Sequence, residues 1–61
     1  MQTKANMIET AAMEVVGKMA AGVGLQAAIT AVLKSSRFAS VRSMIAGDRE
    51  AFGEFAVDLM G

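Results

Sequence analysis

Sixty-one residues without cysteine or histidine exclude a disulfide staple, a thiolate metal site and histidine-based acid–base chemistry. Six basic and six acidic residues cancel to zero net charge, which argues against general nucleic-acid affinity, since that needs a net basic surface. Apolar residues make up 54% of the chain, but many are alanine, so a core built here alone is weak at a length near the lower limit for independent folding.

The stretch from Met7 to Leu33 holds most of the aliphatic surface. Ile8, Ala12, Val15 and Met19 fall within about 60° on a helical wheel, which predicts an amphipathic first helix running to about Ala21. Thr3 or Asn6 is expected to cap it. Asn6 has Glu9 three residues on, a capping-box spacing. The opposite side carries Thr10, Met13, Gly17, Ala20, Ala21 and Gly24, where a water-facing helix normally places charge. Glu9, Glu14 and Lys18 sit on its flanks, with Glu14 and Lys18 at i, i+4. A small-residue side of this kind faces water, permits a close helix–helix contact or meets a membrane. Self-association through Met13, Gly17, Ala20, Ala21 and Gly24, most simply in a homodimer, is the expectation.

Gly22-Val23-Gly24 favours a break, because glycine costs on the order of 1 kcal/mol in a helix interior. Gly22 suits the left-handed position beyond the helix end. Val23 would meet only Lys18 or Gly17 in the accompanying apolar contact, so a helix continuous to Leu33 stays open as the alternative. The second helix is expected over 25–34, burying Leu25, Ile29, Val32 and Leu33, with Lys34 against its carboxyl-end dipole. Ser35-Ser36 offers a cap for a third helix from Arg37 to Ala46. Its buried stripe is Phe38, Val41 and Ile45, with Met44 at the edge and Ser36, Ser40 and Ser43 opposite. Gly47 closes that helix and Asp48 caps a fourth, Arg49 to Met60, with Phe52, Phe55, Ala56 and Leu59 inward. With no proline and no alternating strand pattern, the chain reads as all-α: one helical domain over 1–61, a compact array of three or four short helices completed by homodimerisation.

No arrangement of residues points to catalysis, a cofactor or a bound metal. Glu50, Glu54 and Asp58 form an i, i+4, i+8 row, the pattern of a solvated helix face, and lack the Glu-x-x-His pairing of di-iron bundles. Lys34-Ser35-Ser36 follows no glycine-rich phosphate loop, and Ser-x-x-Lys does not occur. The segment KSSRFASVRS, residues 34–43, gathers Lys34, Arg37 and Arg42 on a serine-lined face, with Arg49 shortly after. Hydroxyls and arginines suit phosphate contacts, and helices meeting at Ser35-Ser36 imitate a helix-turn-helix. The third helix, however, lacks Asn or Gln to read adenine and the turn lacks glycine. Nucleic acid is therefore the less favoured partner. The partner-binding residues expected are Lys34, Arg37, Arg42, Glu50, Glu54 and Asp58, which place opposite charges on neighbouring helices.

The amino end has the form of no signal peptide. The fifteen uncharged residues between Lys18 and Lys34 fall short of the roughly 20 that span a membrane. A cytoplasmic location is the expectation. AMEVVGKMAAGVGLQAAITAVL, residues 12–33, resembles the central helices of circular bacteriocins: a valine pair, a small glycine-containing turn and a following apolar helix. That resemblance implies a compact helical bundle that permeabilises bacterial membranes. The carboxyl half departs from it, with arginines and an acidic row in place of a cationic or strongly apolar surface. Size and residue content together fit a small non-enzymatic bacterial or phage-encoded regulator that binds another protein, ahead of a membrane-active peptide or a small DNA-binding protein.

Overall fold

The computed structural model describes residues 4–45 and 48–61. All regular structure among them is helical: α1 (Lys4–Ala20), α2 (Leu25–Lys34), a single 3-10 turn (Ser36–Phe38), α3 (Ala39–Met44) and α4 (Arg49–Leu59). The long α1 is the element the others share, since α2, α3 and α4 all pack on it, and α4 also lies against α2.

The predicted stripe of α1 is present but shifted. Ala11, Ala12 and Val15 have no exposed surface, whereas Ile8 and Met19 are half-buried with Met7 and Val16 around them. Asn6 is not a cap. The helix begins two residues earlier, so Asn6 lies inside its first turn and its carbonyl accepts from the Thr10 hydroxyl at 2.8 Å. Thr3 lies outside the described residues.

The chain breaks after Ala20, and the continuous helix is not formed. Gly22 adopts φ +101°, a left-handed conformation that costs an L-residue roughly 1–2 kcal/mol. Its N–H donates to the Met19 carbonyl at 2.9 Å, and the Val23 N–H to the Lys18 carbonyl at 3.0 Å. These are the two bonds of a Schellman motif. Val23 stays 38% exposed, so the motif is held by backbone bonds and by glycine, without a buried partner for Val23.

α2 has the predicted bounds and buries Ala28, Ile29, Val32 and Leu33; Leu25 is only half-buried. Ser35 caps the 3-10 turn, its hydroxyl accepting from the Arg37 N–H at 3.3 Å. The third helix is shorter than expected. Its first residues wind as that 3-10 turn, which turns Phe38 into the core, and α3 proper then buries Val41. Ile45 and Met44 are half-buried, and Ser36, Ser40 and Ser43 face out as predicted. The expected end at Ala46 and stop at Gly47 lie outside the described residues. Asp48 caps α4, its carboxylate accepting from the Ala51 N–H at 3.2 Å.

On α4 one expected core residue is displaced. Phe52 and Ala56 are buried and Leu59 is half-buried, but Phe55 is 36% exposed and Gly53 takes an inward place. The cause is the close approach of α2. A β-carbon on Gly53 would stand 3.1 Å from Ile29 Cδ1, so the helix rotates its side-chain-free position toward α2. Phe55, two residues on, is thereby turned toward the rim.

The two phenylalanines should therefore differ in their contribution. Phe52→Ala should cost about 3–5 kcal/mol, the transfer loss plus a cavity. Phe55→Ala should cost about 1–2 kcal/mol, because only part of its surface is buried and the gap opens to solvent. Chemical denaturation of the two variants gives the comparison, and equal costs would place Phe55 in the core after all. For the backbone, Gly22→Ala should destabilise by about 1–2 kcal/mol. Gly17→Ala, with nothing within 4 Å of its added methyl, should stabilise by about 0.4–1 kcal/mol.

Candidate interaction surface between α2 and α4

No polar or charged side chain is buried among the described residues, so their polar groups lie on the surface. α2 and α4 run in opposite senses: Leu25 and Ile29 lie over Gly53, and Thr30 reaches Arg49. At each end of this pair the amino-terminal dipole of one helix lies beside the carboxyl-terminal dipole of the other. The side chains therefore set the local sign of charge.

At one end an open groove of about 550 Å³ is lined by Leu25, Gln26, Gly53, Val57, Arg49 and the row Glu50, Glu54 and Asp58. Gly53 leaves its floor low, Val57 is 46% exposed on its wall, and all three acids are exposed. At the other end a pocket of about 300 Å³ is lined by Thr30, Leu33, Ile45, Lys34, Arg42 and Arg49. Its floor is apolar, and among the described residues its rim carries three cations and no acid. Arg49 lines both depressions, so acid and base form two halves of one seam.

The arginines of the basic half are held in place by neutral acceptors. Arg49 Nη2 donates to Thr30 Oγ1 at 2.7 Å, and Arg42 Nη1 donates to the Leu33 carbonyl at 3.3 Å. Leu33 belongs to the last turn of α2, whose carbonyls lack partners within the helix, so Arg42 closes that helix end as well. Among the described residues no carboxylate lies within 4.0 Å of Lys34, Arg42 or Arg49. The guanidiniums are oriented but their charge is not neutralised, and each retains free N–H donors.

Arg37 does not join them, contrary to expectation. Its Nη1 donates to Glu14 Oε1 at 3.1 Å, and its guanidinium lies 4.9 Å from the Phe38 ring centroid. The 3-10 turn directs Arg37 back toward α1, while Arg42, farther along α3, points toward α2. α3 and α4 are not strongly packed on each other among the described residues; both pack on α1 and α2, and Arg42 and Arg49 meet at the pocket beside α2. Lys34, Arg42, Glu50, Glu54 and Asp58 of the predicted set do share this face. Sequence reasoning placed Arg49 nearby without assigning it a role, and missed Thr30. Its spacing of four from Lys34 puts both on one face of α2, which was the available signal.

The small residues expected to share one side of the first helix are exposed, but α1 ends at Ala20, so Ala21 and Gly24 lie beyond it. Met13, Gly17, Ala20, Ala21 and Gly24 are all on the surface, Met13 at 52%, although Thr10 is half-buried. The acidic row does not gather with other acids into a group that could hold a metal ion among the described residues. No described helix is long and apolar enough to cross a membrane. Comparison with protein-family models, curated proteins and solved structures gives no match to the chain.

The different settings of the arginines predict different losses. Arg37→Ala should cost under about 1 kcal/mol, since its ion pair is exposed on both sides and screened by water. Arg42→Ala should cost about 1.5–3 kcal/mol, because a charged donor to a helix-end carbonyl is lost. Thermal melts of both variants test this, and the reverse order would show that the Leu33 carbonyl is satisfied by water.

Proposed function

We propose that this chain is a small non-enzymatic protein-interaction module whose binding surface is the seam between α2 and α4. The observation that carries the reading is the basic half of that seam. Two guanidiniums fixed by Thr30 and the Leu33 carbonyl are joined there by Lys34 over an apolar floor, with no carboxylate within 4.0 Å among the described residues. Cations held in place lose less freedom on meeting a ligand than free side chains do. A surface with one half acidic and one half basic orients a partner and speeds encounter, more than it adds raw affinity.

A protein partner fits this surface better than nucleic acid. The acidic row beside the pocket would repel a phosphate backbone that extended past the three cations, and the apolar floor of Leu33 and Ile45 offers such a backbone nothing to bury. An apolar side chain flanked by carboxylates meets both features at once.

A photo-reactive amino acid at Gln26, lining the acidic half, or at Lys34, lining the basic half, is expected to capture a protein in cells that make this chain. The same residue at Ala20, on the small side of α1, is the control. Capture at Ala20 with none at the two seam positions would move the binding surface to α1.

A further inference from the structure

We infer that the seam takes a second copy of this same chain, paired about a two-fold axis that passes between Arg49 and Glu50, so that the basic pocket of each copy receives the acidic row of the other. This rests on the seam being the binding surface and names its occupant.

The basic pocket sets the requirement. Its rim presents Lys34, Arg42 and Arg49, and its floor is Leu33 and Ile45. An occupant must bring several carboxylates on a rigid spacing with an apolar residue among them. The chain itself carries that pattern next door. Glu50, Glu54 and Asp58 share one face of α4, with the exposed Val57 beside them. Three cations, two of them anchored guanidiniums, are matched by three acids. Eight residues of helix set the acids over about 12 Å, a length that the groove presents as one continuous wall.

The arrangement of the halves then selects the symmetry. Acid and base adjoin along a single line, with Arg49 lining both depressions. Rotating a second copy by a half turn about an axis through that junction lays each acidic half on a basic half. The same operation runs the two α4 helices in opposite senses, which also opposes their dipoles. An isologous contact of this kind is self-complementary and closed, so it stops at two copies. A parallel or head-to-tail arrangement would oppose like charges or leave one half of each seam uncovered.

The size of the molecule is consistent with this. An interface of ordinary size takes roughly 800 Å² from each partner, about a fifth of the 3958 Å² surface. Pairing would cover Val57 and the pocket floor. Of the charges flanking the small side of α1, Glu14 is already paired with Arg37, whereas no carboxylate lies within 4.0 Å of the seam's cations among the described residues.

The test is an exchange of charge between two variants of the full chain. In the first, Lys34→Glu and Arg49→Glu make both halves acidic. In the second, Glu50→Lys and Glu54→Lys make both halves basic. All these side chains are exposed, and circular dichroism checks that each variant stays helical. Sedimentation equilibrium is expected to show the wild type as a dimer at micromolar concentration that weakens as salt rises. Each variant alone should associate at least about 100-fold more weakly, through like-charge opposition. An equimolar mixture of the two should restore a one-to-one dimer. Should Lys34→Glu with Arg49→Glu lose its fold, Lys34→Glu alone, mixed with Glu54→Lys, reads the same exchange at smaller amplitude. A wild type that stays monomeric at millimolar concentration overturns the inference, as does a dimer that both variants preserve. In that second case, loss of the dimer in Gly17→Leu would place self-association on α1. A monomer whose Gln26 and Lys34 cross-links capture a different protein overturns the second copy as occupant but leaves the seam as the binding surface. A monomer that cross-links to nothing at those positions overturns both.

Discussion

Close approach between helices at positions with little or no side chain is the constraint on which this structure depends. Ala11 and Ala12 of α1, Ala28 of α2, and Gly53 and Ala56 of α4 are all enclosed. Small residues at such crossings let helix axes draw together. They contribute little apolar area themselves, yet they allow Val15, Ile29 and Val41 to be sealed completely between the helices. Adding even one methyl group at Gly53 would press on Ile29. The remaining large side chains, Phe38, Phe52 and Leu33, close the core from its edges.

The same constraint governs the surface. Because α2 and α4 lie so near each other, residues on their outer edges are brought into one strip. The glycine that permits the contact also forms the floor of the acidic groove. A β-carbon on Gly53 would point at Ile29 Cδ1 from 3.1 Å, and that side chain would have to give way. Packing and recognition are thus two consequences of one contact. The Schellman turn at Gly22 contributes by reversing the chain sharply enough to lay α2 back along α1, where it can meet α4.

Three arginines, all exposed, show how much depends on local partners. Arg37 is neutralised by Glu14, Arg42 closes the end of α2, and Arg49 bridges to a hydroxyl. An ion pair with both members in water adds little stability and leaves little field. A guanidinium held by a neutral oxygen keeps its full charge for a partner. It is the identity of the acceptor, more than the count of basic residues, that singles out the pocket at Thr30 and Arg49.

Helical class, the break at Gly22, the bounds of α2 and the cap at Asp48 were all legible in the sequence, because each rests on interactions within a few residues: apolar periodicity, the left-handed freedom of glycine and a carboxylate reaching its own helix end. The exposure of Ser36, Ser40 and Ser43 was legible for the same reason. Contacts between residues far apart in the chain were not. Whether Phe55 or Gly53 faces inward depends on how closely α2 approaches, which no periodicity along α4 encodes. Arg37 and Arg42 look equivalent in KSSRFASVRS, yet Glu14 stands 23 residues from one and the Leu33 carbonyl 9 residues from the other. Glu50, Glu54 and Asp58 were visible as a row from their spacing on one helix, but their place beside Lys34, Arg42 and Arg49 required α2 and α4 to cross. Local chemistry wrote the helices and their ends; the tertiary contacts decided which charges hold the fold and which are left facing outward.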